Sequence, residues 1–145
     1  MNVLVSACLL GNPCRYDGRS KPCDGVISLR KKVQFVPMCP EVLGGLSIPH
    51  PASEIKDGRV LSSDGKDVTS AFCAGAQKAL AIAKKYHCKV ALLKERSPSC
   101  GCGMIYDGSF SKKLVPGNGI TAELLLQNGI LVLGESELEK LKAML

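Results

Sequence analysis

Eight cysteines stand in a chain of 145 residues, and they are the side chains best equipped for chemistry. Three have the setting of ligands. Cys8 ends the apolar run Asn2–Cys8, Cys39 opens the step Cys39-Pro40-Glu41, and Cys100 lies in Ser97-Pro98-Ser99-Cys100-Gly101. Thiolates dispersed over separate loops suit an iron–sulfur cluster, which takes one from each loop and is steadied by glycines and backbone N–H donors around its sulfurs. Proline after a ligand, as in Cys39-Pro40, also ends the bacterial ferredoxin run. Structural zinc wants four tetrahedral ligands, usually supplied as close pairs. The chain has no CxxC, and its closest pair is Cys100-Gly101-Cys102. Three protein thiolates on a 4Fe–4S cluster leave one iron open, and an open iron is a Lewis acid suited to substrate chemistry.

The other cysteines divide by context. Cys73 and Cys88 fall on or at the end of a long helical pattern and read as packing residues. Cys14 and Cys23, in a loop rich in Gly, Pro and Arg, are ligands, redox partners or incidental, and Cys102 is equally undecided. Glu41, two residues past Cys39, is a candidate general acid/base; it also suits a helix N-terminus, where its charge opposes the dipole. Ser97 either hydrogen-bonds substrate or a cluster sulfur, or simply shapes the loop before Pro98. Lys94, Glu95 and Arg96 read as solvated, and His50, between two prolines, as an exposed loop residue. Tyr16-Asp17-Gly18 and Tyr106-Asp107-Gly108 are turn sequences first, with Arg15 and Asp17 a candidate pair beside the site.

The elements that must position these residues follow from periodicity. Asn2–Cys8 reads as a buried strand, Gly25–Lys32 as a short helix and Val33–Pro37 as a second strand. Gly44–Pro51 is loop. Two Asp-Gly steps, at Asp57 and Asp64, flank Val60-Leu61 in Glu54–Val68 and predict a hairpin excursion. Apolar residues recur at helical spacing through Asp67–His87, from Val68 to Tyr86, and small residues at Ala71, Ala74, Gly75 and Ala79 predict close packing on a sheet. Lys89–Leu93 is a third strand. A loop at Ser97–Gly103, a hairpin around Tyr106–Gly108, a helix Ala122–Asn128 capped by Thr121, and a strand Ile130–Leu133 follow. Ser136 with Glu139 predicts a capping box for the last helix. Strand–helix alternation of this kind implies an α/β fold, a mostly parallel sheet flanked by helices. In such sheets ligands bind beyond the carboxyl ends of the strands. Cys8, Cys39 and Cys100 all follow strands and are expected to converge there.

Composition bounds the answer. The length predicts one domain over residues 1–145. Apolar residues are 46% and charged residues 22%, the balance of a globular chain. No apolar run approaches a membrane span and the N-terminus lacks a secretory pattern, so a reduced, cytoplasmic location is expected. There disulfides are rare, and cysteines bind metal, do chemistry or pack. The net charge is +6, but it is scattered without a run of five. Aromatics are 4% with no Trp, against stacking of single-stranded nucleic acid. No Gly-rich phosphate loop is present.

Taken jointly, Val5-Ser6-Ala7-Cys8-Leu9-Leu10-Gly11, Cys14-Arg15-Tyr16-Asp17-Gly18, Cys39-Pro40-Glu41 with Gly44-Gly45-Leu46, Ser97-Pro98-Ser99-Cys100-Gly101 with Ile105-Tyr106-Asp107-Gly108, and Gly119-Ile120-Thr121-Ala122 resemble a small bacterial family, the thiouracil desulfurases. The resemblance covers nearly the whole chain. It implies a Rossmann-like three-layer domain with an oxygen-sensitive 4Fe–4S cluster held by Cys8, Cys39 and Cys100. It also implies that the fourth iron takes the sulfur of a thiolated nucleobase and that Glu41 and Ser97 form the catalytic pair. Water attack would replace the thiocarbonyl by a carbonyl, with release of sulfide and no net redox change. The chain departs from the family at His50, where an arginine is usual. Two other classes stand beside this reading: a zinc-binding or redox-sensing cysteine module, and a protein binding thiolated tRNA.

Overall fold

The computed structural model describes residues 1–145. In chain order the elements are β1 (Asn2–Ser6), α1 (Asp24–Ser28), β2 (Gln34–Met38), α2 (Pro40–Leu43), β3 (Ser53–Lys56), β4 (Arg59–Ser62), α3 (Thr69–Lys85), β5 (Val90–Leu93), β6 (Met104–Tyr106), β7 (Leu114–Pro116), α4 (Ile120–Gln127), β8 (Leu131–Gly134) and α5 (Leu138–Lys142). Single 3-10 turns at Ala7–Leu10, Leu29–Lys31 and Glu135–Glu137 extend three of them.

Four strands form one sheet in the order β2-β1-β5-β8, parallel throughout. The side-chain period of two sorts its residues onto two faces. Leu4, Met38, Ala91, Leu93 and Val132 pack under α3 and α4, with Ala79, Leu80, Ala83, Ala122 and Leu125. Val3, Val5, Val90, Leu92 and Leu133 face the other way, onto Val26, Leu29 and Leu141. Two covered faces explain why these strands read as continuous apolar runs rather than alternating ones. Each fully buried Val or Leu contributes about 1.5–3 kcal/mol by leaving water. No helix is long and apolar enough to cross a membrane.

The chain order of the strands matters for the site. From β1 the chain moves outward to β2, then crosses back past β1 to β5. The switch point therefore lies between β1 and β5, and a crevice opens there beyond the carboxyl ends. Two hairpins stand over it. β3 and β4 are antiparallel around Asp57-Gly58, both at positive φ, as a tight primed turn demands. β6 and β7 form the second.

Several local expectations are corrected. The strand ends at Ser6, and Cys8 lies in the following 3-10 turn. Gly75 packs on α2 rather than on the sheet: a Cβ there would overlap the Pro40 carbonyl, and one on Gly44 would overlap the Ala71 carbonyl. Ala74 on α3 and Tyr86 just past its end are exposed. Gly119, not Thr121, occupies the N-cap of α4. Ser136 and Glu139 make no capping box on the last helix, which has no side-chain cap; the capping contact is made by the turn before it, where Glu137 accepts the Gly134 N–H at 3.1 Å.

Candidate metal centre

A cleft of about 510 Å³ opens at the switch point, and Cys8, Cys14, Cys39, Cys100, Glu41 and Ser97 all line it. That volume is in the range of small-molecule sites. All eight cysteines are free.

Each thiol has its own support. Cys8 is buried in the turn after β1, which closes at Gly11 in the left-handed region, φ 100°, with the Gly11 N–H on the Cys8 carbonyl at 3.1 Å. Cys39 is the N-cap of α2, with proline at the first helical position, where the fixed φ of proline is preorganised. The interlock of Gly44 with Gly75 pins that short helix to α3. Cys100 is buried in a loop held by the start of α4: Ile120 donates to the Pro98 carbonyl at 2.9 Å, and Thr121 to that of Ser99 at 2.9 Å. The Ser99 and Thr121 hydroxyls pair at 2.8 Å in the interior. Gly119 permits this approach, because a Cβ would come within 2.5 Å of the Ser99 carbonyl.

The Ser97 hydroxyl oxygen accepts the N–H groups of Ser99 and Cys100, both at 3.1 Å. A hydroxyl has two lone pairs and one proton. With both lone pairs engaged, the Ser97 O–H is left as a donor on a residue that lines the cleft. The serine therefore both shapes the loop and keeps a proton donor free.

The electrostatics suit soft cations. Contact with Cys14 and burial hold the Cys39 thiol far above its ordinary range, against a helix N–H from Val42. Cys39 lowers Cys14, but Cys8 and burial outweigh it and push that thiol to about 11. Burial pushes Cys100 to about 12, against a hydrogen bond from Ser6. Thiols so arranged become stable thiolates when a bound cation supplies the missing charge. The donor set is all sulfur, the preference of iron–sulfur clusters and zinc. No three His, Cys, Asp or Glu side chains gather on one point as a single ion requires; the thiols stand around the cleft. Their all-sulfur chemistry is that of the ligands of an iron–sulfur group.

Cys8, Cys39 and Cys100 come together with Glu41 and Ser97 as the sequence leads one to expect. Cys14 joins them, and the Cys39 thiol reaches its carbonyl at 3.5 Å. Its sequence signals are its place in a Gly- and Pro-rich loop six residues after Cys8 and at the head of Cys14-Arg15-Tyr16-Asp17-Gly18, which leave its role undecided. Cys23 and Cys102 are half-buried and outside the cleft, Cys88 is buried, and Cys73 is exposed rather than packed. His50 is not an exposed loop residue: its side chain is 9% exposed and lies against Glu41 at 3.2 Å. Lys94 is paired with Glu135 at 3.1 Å instead of solvated. Asp17 accepts the Arg19 N–H rather than pairing with Arg15, and Arg15 lies over the Tyr16 ring at 5.8 Å. Buried Glu54 also lines the cleft, and its Oε1 accepts the N–H groups of Gly108 and Phe110, at 3.0 and 3.1 Å.

A Rossmann-like parallel sheet carrying thiols, a carboxylate and a hydroxyl at its switch point defines a class of α/β protein with a cysteine-lined cleft. The family model for 2-thiouracil desulfurase matches residues 3–137, and the chain belongs to that family. It is 42% identical to the uncharacterized protein YbbK of Bacillus subtilis, strain 168, over 94% of this chain and 97% of that protein. It is also similar to the solved structure of the 4Fe–4S-dependent thiouracil desulfidase TudS. That match has a TM-score of 0.93 and 42% identity, covering 99% of this chain and 96% of the other.

Proposed function

We propose that this protein is a 4Fe–4S-dependent desulfurase acting on a thiolated nucleobase of the thiouracil kind. The reading is supported above all by the convergence of Cys8, Cys39 and Cys100 with Glu41 and Ser97 on one cleft. Family membership and the name of the solved relative agree with it. The three cysteines would hold the cluster. When bound, it supplies a thiophilic Lewis acid for the substrate's sulfur.

The remaining chemistry falls to the chain. Glu41 takes a proton from water as that water attacks the thiocarbonyl carbon, and returns it as the C–S bond breaks. The Ser97 O–H donates to the negative charge that develops at the reacting thiocarbonyl. The balance is thiocarbonyl plus water to carbonyl plus hydrogen sulfide, so no electron donor is needed. The free thiols suit a reduced compartment, and the cytoplasm is the proposed location.

Anaerobic reconstitution followed by a panel of thiolated nucleobases tests the proposal. The expected result is about four irons per chain, broad thiolate-to-iron absorption near ~400 nm, and sulfide released in step with the oxo base. Stoichiometric zinc without iron uptake would favour the zinc module. Salt-dependent tRNA binding without sulfide release would favour a tRNA-binding protein.

A further inference from the structure

Glu41 has one side-chain partner, and the backbone dictates how that partner is held. The loop Gly44–Pro51 returns so that the His50 N–H donates to the Tyr16 carbonyl at 2.7 Å. The His50 ring then stands 6.3 Å from the Tyr16 ring, tilted by 55°. Its Nδ1 is 2.9 Å from the Pro51 carbonyl oxygen, and its Nε2 is 3.2 Å from Glu41 Oε1. The histidine does not line the cleft; it sits behind the carboxylate that does.

A carbonyl oxygen only accepts, so Nδ1 carries a proton. This tautomer is assigned from the hydrogen-bond partner. It leaves Nε2 facing a carboxylate oxygen. At 3.2 Å the imidazole and the carboxylate are within ion-pair reach of each other. Oε1 is the carboxylate oxygen held against the imidazole, which leaves Oε2 without a side-chain partner.

We propose that His50 is a positioning residue for Glu41: clamped on the Pro51 carbonyl, its imidazole fixes the carboxyl orientation and selects the oxygen that faces substrate. This rests on the reading of Glu41 as the proton carrier. The titratable groups facing the ring are Glu41 and, more distantly, Cys39, with Tyr16 beside it.

The test uses the purified protein before and after anaerobic cluster loading. The chain has two histidines, and exposed His87 serves as the internal control. Long-range proton–nitrogen NMR should show His50 as the Nδ1–H tautomer or doubly protonated. Its Nε2 signal should move in Glu41→Gln while His87 stays in place. In the loaded enzyme, His50→Leu should lower kcat roughly 10- to 100-fold, the loss of one hydrogen bond to a charged group, with KM within about twofold. His50→Gln, which keeps an N–H donor, should recover most of that loss.

A His50 signal that behaves like His87 and ignores Glu41→Gln would overturn the inference. So would unchanged kcat in His50→Leu, or a rise in KM alone, which marks a substrate contact. If NMR links His50 to Glu41 but the loaded wild type releases no sulfide from any thiolated base, the proposed function fails and the contact stands. If the wild type is active and His50 is indifferent, the function stands and the positioning role fails.

Discussion

Gly75→Ala tests whether helix packing remote from the cleft sets the chemistry. Gly75 is buried in α3, and an added methyl would overlap the carbonyl of Pro40. The neighbour is backbone, so no side chain can swing aside, and α2 must move off α3. Overpacking of this kind costs about 1–3 kcal/mol, and melting falls by roughly 3 °C per kcal/mol at this chain length. Because α2 carries Glu41 and begins at Cys39, a displacement of about 1 Å should lower turnover on the order of 10²-fold. The assay is sulfide release from a thiolated base by anaerobically loaded protein, well below its melting temperature. Leu141→Ala, in the core on the opposite face, is the control: it should cost about 2–5 kcal/mol yet leave turnover near that of the parent. Gly75→Ala with full turnover, or Leu141→Ala with an equal loss, would refute the claim that α2 placement controls the site.

Glu41→Gln should load as much iron as the parent and lose turnover on the order of 10²-fold or more; retained turnover removes Glu41 from the mechanism. Serine at Cys8, Cys39 or Cys100 should abolish loading, while Cys14→Ser should still take up iron, as measured by iron and sulfide content. Ser97→Ala removes an acceptor for two backbone N–H groups and the free O–H donor. It should lower melting slightly and turnover by roughly 10²-fold, whereas loading that fails first would mark the loop-shaping role as dominant. The hydrogen bond to Glu41 raises the pKa of His50 above its ordinary 6.5. The stability this contributes is full below that ordinary value and is lost as pH rises through the higher folded value. Denaturant midpoints against pH should show that decline, and His50→Gln should flatten it.

Much of this arrangement is legible in the sequence, and the illegible parts share a physical cause. Strand runs, the long helix and the Asp-Gly hairpin are written in periodicity and turn chemistry, which are local. The convergence of Cys8, Cys39 and Cys100 follows once the strands are parallel. Cys14 and His50 are not readable in this way because each depends on where a loop returns. The His50 N–H meets the carbonyl of Tyr16, far back in the chain, and nothing in Pro49-His50-Pro51 announces it. Thr121 misleads for a related reason. Its type suits an N-cap, but Gly119 is required there for close approach to Ser99, leaving the Thr121 hydroxyl to meet the Ser99 hydroxyl across the loop. Gly75 carries the right message, close approach, with the wrong partner, since periodicity reveals a face but not what lies on it.

The supports around the cleft divide its work. Every residue assigned to cluster or proton chemistry is pinned to the sheet or to a helix packed on it: Cys8 by the turn after β1, Cys39 and Glu41 by the α2–α3 interlock, Ser97 and Cys100 by the clamp on α4. Groups fixed by such elements hold position more closely than groups on loops. The outer wall is built otherwise. Tyr106, Phe110 and Lys112 reach the cleft from the hairpin of β6 and β7 and the loop between them. That loop is fastened to the β3–β4 hairpin by the Glu54 carboxylate. Strand β6 is itself bridged at Ile105 to Arg96 in the loop after β5. Glu54 Oε1 accepts both of its backbone hydrogen bonds from the loop between β6 and β7, at 3.0 and 3.1 Å, and so ties the wall to the β3–β4 hairpin beside the cleft.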